Sequence, residues 1–226
     1  MDALRSADRI VVLTGAGASA ESGIPTFRDA LTGLWERYDP TRLATPEAFA
    51  ADPDLVWGWY VWRRDLVARC SPNAGHEAVA RMQAAIRARG GTLDVLTQNV
   101  DDLHERAGAH DVVHLHGDIT ASRCFDCGTP WVGRSAAGRH EPADVPEGGG
   151  RRTPPRCPEC GGLIRPAIVW FGEMLPTVAW SRAEEAVKSA DVLLTIGTSG
   201  TVYPVADLPR VARMSGARVV QVNPEA

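Results

Sequence analysis

The sequence predicts an α/β protein built on a doubly wound parallel sheet. Two observations carry that reading. Short apolar runs at residues 10–13, 93–96, 112–115, 192–196 and 219–222 alternate with helical patterns at 75–89, 180–190 and 205–214. Short, mostly apolar strands between helices imply a sheet covered on both faces. The second observation is the turn Gly15-Ala16-Gly17, which directly follows the first run. Glycines there let the backbone approach an anion, and the N–H groups of a helix start point at it.

The first strand and its turn set the ligand class. Gly15-x-Gly17-x-x-Ala20 has the spacing of a dinucleotide fingerprint. The continuation Glu21-Ser22-Gly23-Ile24-Pro25-Thr26-Phe27-Arg28 fits no hydride-transfer loop. The window 34–40 lacks the second strand and acidic ribose ligand that a dehydrogenase places there. A dinucleotide is expected, handled by a loop built for other chemistry.

Size and charge narrow the class further. A chain of 226 residues holds one sizeable core, or one core and a small module. A net charge of −4 gives no basic footprint for nucleic acid. There is no run of 18 apolar residues, so no membrane span is expected. Residues 1–6 run straight into the first strand and leave no room for a signal peptide, which makes the cytoplasm the expected location. A monomer is the expected state.

The next segments interrupt the sheet pattern. Residues 35–71 have helical periodicity and carry Trp57, Trp59, Tyr60 and Trp62. Residues 121–165 hold four of the five cysteines, as the pairs Cys124/Cys127 and Cys157/Cys160. Two Cys-x-x-Cys knuckles in a reducing compartment supply four thiolates to a closed tetrahedral zinc site, structural rather than catalytic. Gly128, Pro158, Gly161 and Gly162 support tight turns beside the sulfurs, and the Pro/Gly/Arg-rich stretch 140–155 reads as a mobile loop. Cys70 reads as an ordinary thiol. The expected division is a Rossmann-like nucleotide domain from 1–36, 72–120 and 167–226, a helical insertion at 37–71 and a zinc module at 121–166. The two insertions together could make a smaller domain, with the ligand in the cleft.

Four strand ends carry polar or glycine tips. Thr97-Gln98-Asn99-Val100-Asp101 follows the strand at 93–96, where open α/β sheets bind ligands. Asn99 and Asp101 are equally good turn formers. His114-Leu115-His116-Gly117 closes another strand. Alternation sends both histidines to one side, and a histidine there can serve as a general base; a satisfied structural histidine is the plainer alternative. Gly197-Thr198-Ser199-Gly200 is a second small-residue loop for phosphate or ribose. Asn223-Pro224-Glu225 sits at the same edge.

These motifs, with Val169-Trp170-Phe171-Gly172-Glu173, resemble in order and spacing the sirtuins, the NAD-dependent protein lysine deacylases. The resemblance covers nearly the whole chain. It implies that Gly15, Ala16, Gly17, Ser19, Glu21, Pro25, Thr26, Phe27 and Arg28 hold NAD. Gln98 would contact ribose, and Asn99 and Asp101 would line the nicotinamide pocket. His116 would be the general base. Gly197, Thr198 and Ser199 would take the phosphates and adenosine, with Asn223, Pro224 and Glu225 near the adenine ribose. Val169 to Glu173 resembles the strand that pairs with the substrate, an extended segment of acylated protein. The implied products are free lysine, nicotinamide and 2′-O-acyl-ADP-ribose. An ordinary deacetylase, mono-ADP-ribosyl transfer and a non-catalytic NAD-sensing module are the alternatives.

Tyr60 and Arg63 stand at i and i+3, hence on one helical face. The pair resembles the Tyr-x-x-Arg signature of the bacterial-type sirtuin class that removes succinyl, malonyl or glutaryl groups. A guanidinium fork and a phenol suit a carboxylate at the end of an apolar channel. Two departures from the family stand out. Position 18 is Ala where larger aliphatics are usual, with little expected effect. Family members continue past the position of Ala226 with a loop and a helix beside the adenine; a chain lacking them is expected to bind NAD more weakly.

Overall fold

A computed structural model describes residues 4, 6–25, 40–132 and 150–223. The chain divides into two compact units: Met1–Thr26, Ser71–His116 and Leu175–Ala226 form one, Phe27–Cys70 and Gly117–Met174 the other.

The first unit is built on strands β1 (Arg9–Thr14), β2 (Thr92–Thr97), β3 (Val113–His114), β6 (Val192–Ile196) and β7 (Arg218–Val222). They form one sheet in the order β3-β2-β1-β6-β7, every pair parallel. The pleat sends alternate residues to opposite faces. Val11 and Leu13 join Leu193, Ala183, Val187, Leu208 and Ala212 on one side, while Ile10 and Val12 join Val95, Val192, Val79 and Ile86 on the other. The helices that cover these faces are α5 (Ala74–Ala88), α6 (Thr177–Ser189) and α7 (Leu208–Met214). The doubly wound expectation is met. Strand order reverses between β1 and β6, and that switch point is where open α/β sheets take their ligands.

α5 starts on a reciprocal cap. The Asn73 side chain accepts from the N–H groups of Gly75 and His76, and His76 Nδ1 accepts from Asn73 N at 3.2 Å. Such caps are worth about 1 kcal/mol.

The second unit holds α2 (Pro40–Leu43), α3 (Pro46–Ala51), α4 (Pro53–Arg69) and an antiparallel pair, β4 (Gly117–Cys124) with β5 (Ile164–Ile168). Thr45 caps α3 and Asp52 caps α4. Arg64 ties α4 to β4 by donating to the Ala121 carbonyl and the Ser122 hydroxyl. Of the stretch expected to be a mobile loop, 140–149 lies outside the described residues. Its end is fastened: Arg151 pairs with both oxygens of Asp52, and Arg152 N donates to Asp54 O at 2.9 Å. Among the described residues no helix is long and apolar enough to cross a membrane.

Candidate active site

Two loops meet at the switch point. Gly15 N donates to Ile196 O, and Gly17 N donates to Gly197 O at 2.9 Å. The contact is backbone to backbone. A Cβ on Gly17 would lie 2.9 Å from Gly197 Cα, and one on Gly197, whose φ is +62°, would lie 2.3 Å from Ala18 N. Only glycine permits this approach. Thr198 is fixed from both sides, its hydroxyl accepting from Gln98 Nε2 at 3.0 Å and its carbonyl from Asn223 Nδ2 at 3.1 Å. Ala16 is half-buried, whereas Glu21, Pro25 and Ser199 are exposed.

Ser19 is the hub beneath the loop. It is buried on the short helix α1 (Gly17–Ala20). Its hydroxyl donates to Asp101 Oδ2 at 3.0 Å and accepts from Asn99 Nδ2 at 3.0 Å. His76 Nε2 lies 3.3 Å away. Because His76 Nδ1 accepts from the Asn73 N–H, Nε2 carries the proton and donates to Ser19. The hydroxyl thus uses one donor and two lone pairs, its full capacity. Asp101 Oδ1 accepts from Leu103 N at 3.2 Å. Burial pushes the Asp101 carboxyl above its ordinary range, against the pull of these donors.

The two strand-end histidines differ. His116 Nδ1 lies 3.1 Å from the Gln98 carbonyl, which can only accept. Nδ1 therefore carries the proton, and Nε2 presents a basic lone pair. Burial holds the His116 pKa below its ordinary value, so the ring is neutral at pH 7. His114 faces acceptors with both nitrogens, Asn99 O at 3.2 Å and Glu105 Oε1 at 2.7 Å. It braces the turn and offers no basic nitrogen.

In the second unit the four cysteines converge. Their sulfurs all lie within 4.8 Å of one another. Cys124 and Cys160 are 3.4 Å apart and Cys127 and Cys157 3.8 Å apart. Tetrahedral zinc with Zn–S bonds of about 2.3 Å sets sulfurs about 3.8 Å apart, so the cluster fits that ion. Gly128 and Gly161, each directly after a knuckle, have φ of +72° and +76°.

Tyr60 and Arg63 do share a face of α4. Tyr60 is fully buried, and its hydroxyl accepts from Trp170 Nε1 at 3.0 Å. The Arg63 guanidinium lies over the rings of Trp59 and Tyr60, 4.9 and 5.6 Å from their centroids. The segment 169–173 corrects one expectation: it is no strand. β5 ends at Ile168, Phe171 and Gly172 turn, and Glu173 folds back to accept from Trp170 N at 2.8 Å. Trp170 points into the core, while Phe171 is exposed.

Residues 15–204 match the Sir2 family. The chain belongs to the Sir2 family. It is 54% identical over 223 residues to the NAD-dependent protein deacylase of Methylococcus capsulatus, covering 98% of this chain and 83% of that one. It is 51% identical over 224 residues to NAD-dependent protein deacylase 2 of Pyrobaculum aerophilum, covering 99% and 83%. The crystal structure of a Sir2 homolog–NAD complex superposes with a TM-score of 0.84 at 43% identity, covering 99% of this chain and 81% of that one.

Several residues that the sirtuin resemblance implies, Thr26, Phe27, Arg28, Pro224 and Glu225, lie outside the described residues. Sequence reasoning passed over His76, His104 and Asn73. Only Asn73 left a trace, as a cap residue before a helix.

Proposed function

We propose that this sirtuin removes acyl groups from protein lysine side chains in an NAD-dependent reaction, and that it prefers acidic acyl groups. Two supports carry the first part: relatives about half identical over nearly the whole chain that are named NAD-dependent protein deacylases, and the set of Ser19, Asn99 and Asp101 interlocked at the sheet's carboxyl edge. Nucleotide binding alone needs no basic histidine at a strand end, so His116 favours catalysis over a sensing module.

The residues fit NAD. The loops at 15–17 and 197–199 would take the pyrophosphate, their glycines letting it approach the backbone with no side chain in the way. Asn99 and Asp101 would hold the carboxamide and orient the nicotinamide. When bound, NAD supplies an ADP-ribosyl group that accepts the acyl oxygen as nicotinamide leaves. His116 Nε2 would take a proton from the ribose hydroxyls, and the Gln98 carbonyl holds the ring in the tautomer this needs. The protein substrate would present an extended segment to the second unit. Thiol ligands for zinc fit a reducing compartment such as the cytoplasm.

The acidic-acyl preference is supported by the Tyr60/Arg63 face. The guanidinium is half-buried on two aromatic rings, where it is pre-oriented for a carboxylate. The test is kcat/KM with NAD on one peptide bearing succinyl- or acetyl-lysine, for wild type and Arg63→Met. A succinyl preference that collapses in Arg63→Met supports the reading. Equal or better removal of acetyl makes the protein a deacetylase.

A further inference from the structure

We infer that Trp170 is a positioning residue for acyl selection: its indole N–H sets the direction of the Tyr60 hydroxyl. The inference rests on the acidic-acyl reading above. Trp170 Nε1 donates to Tyr60 Oη at 3.0 Å, with both side chains buried. An indole N–H can only donate, so it occupies a lone pair of the phenol oxygen. Arg63, also a donor only, is hydrogen-bonded to the same hydroxyl, so the phenol's own proton is directed away from both, as a donor to an acceptor such as a carboxylate. Burial pushes the Tyr60 hydroxyl up to about 12, so it keeps that proton at working pH.

Trp170 is itself locked in place. The Arg165 guanidinium, only 2% exposed, stacks 3.3 Å from the indole centroid. Arg165 donates to both oxygens of Glu173, at 2.5 and 2.9 Å, and to the Ile168 carbonyl at 2.9 Å. Glu173 in turn accepts from Trp170 N at 2.8 Å. A bidentate charge pair therefore grips the indole through its face and its own backbone. Phe49 packs on the ring at 5.4 Å. This chain of contacts ends at the phenol that shares a helical face with Arg63. A carboxylate-tipped acyl group can use an aimed O–H donor; an acetyl group has nothing to accept it.

The experiment is a double-mutant cycle of Trp170→Phe and Tyr60→Phe, read as the ratio of succinyl to acetyl kcat/KM, with Arg63→Met alongside. Trp170→Phe keeps an aromatic ring for Arg165 and removes the donor together with part of the indole's bulk, which the Tyr60→Phe background controls for. The ratio is expected to fall about 10-fold, mainly through the succinyl KM, since a hydrogen bond to a charged group is lost. In the Tyr60→Phe background the same change should leave the ratio where it is. A ratio that collapses in Arg63→Met but is unmoved in Trp170→Phe overturns this inference alone. Additive effects in the cycle overturn it too. A wild-type ratio near one that Arg63→Met does not move overturns the acidic-acyl reading and this inference with it. Should Trp170→Phe fail to fold, an unmoved ratio in Tyr60→Phe overturns the inference.

Discussion

The Ser19 hydroxyl donates to Asp101 Oδ2 at 3.0 Å while accepting from two other buried groups, Asn99 Nδ2 and His76 Nε2. One oxygen thus satisfies three partners from two stretches of chain, residue 76 and residues 99–101. Ser19→Ala strips an acceptor from two buried N–H groups and a donor from a buried carboxylate. A stability loss of about 1–3 kcal/mol is expected. Ser199→Ala, at an exposed hydroxyl, should stay within about 0.5 kcal/mol. Urea melts of the two variants make the comparison; equal losses would show that the Ser19 network carries no special weight.

Gly197 and Gly90 both have positive φ, +62° and +83°, but only Gly197 is crowded. A Cβ at Gly90 meets nothing within 4 Å, whereas at Gly197 it would press on the backbone of residues 17 and 18. Gly90→Ala should cost the conformational strain alone, about 1–2 kcal/mol. Gly197→Ala adds an overpacking cost of about 1–3 kcal/mol and raises the KM for NAD, because the two loops must part. Matching costs and an unchanged KM would refute the close-approach argument.

The sheet was readable from sequence because its strands are mostly apolar runs, β2 and β7 interrupted only by Asp94 and Gln221 within their apolar stretches, and the zinc cluster because its ligand spacing is local. β4 and β5 were not. β4 mixes Asp118, Thr120, Ser122 and Arg123 among its apolar residues, β5 carries Pro166, and the register between them breaks between Asp118 and Ser122. Only pairing makes these segments strands. The buried histidines were hidden for a related reason: His76 meets Ser19 across 57 residues, and His104 meets Thr14 across 90. The segment 169–173 looked extended because nothing local reveals that Arg165 draws Glu173 back onto it.

His116 makes the pH profile informative. Its pKa is lowered by burial, an effect partly offset by the Gln98 carbonyl, which favours the charged ring. A base of that kind works when neutral, so kcat/KM should fall on the acid side with a midpoint below 6.5, the ordinary histidine value. His116→Ala should lose about 10²–10⁴-fold and abolish that limb. An acid limb centred above pH 7, or one that survives the substitution, assigns the base elsewhere.

Zinc removal should reach beyond the knuckles. Phe125 lies between two ligands and packs on Phe49 at 5.1 Å and on Trp170 at 6.4 Å. Structural zinc contributes folding energy directly. Chelation, or Cys124→Ser, is therefore expected to lower Tm and to shift tryptophan emission as Trp170 loses part of its packing. Metal analysis should return one zinc per chain before chelation and none after. A chelated, zinc-free protein with unchanged Tm and emission would show the cluster to be dispensable.

His104 ties stability to pH. It is buried, its Nε2 lies 3.1 Å from Thr14 Oγ1, and its Nδ1 has no hydrogen-bond partner among the described residues. Thr14 spends its own proton on Thr97 at 2.8 Å, so Nε2–H donates to it and Nδ1 is the nitrogen left to protonate. Charging it would bury a cation beside the His76 ring, 4.8 Å away. Burial first, and then His76, lower its pKa to about 4. The folded pKa lies below the unfolded value of about 6.5, so the unfolded chain binds the proton more readily. The neutral ring's contribution is fully present above pH 6.5 and fades as pH falls to about 4, a loss of ~3 kcal/mol. His104→Gln removes the titrating group, so the difference in unfolding free energy between wild type and variant should change over that window and level off below it. A difference that is flat from pH 7 to pH 4 would mean that His104 takes up its proton over the same pH range folded and unfolded, and that its burial carries no cost.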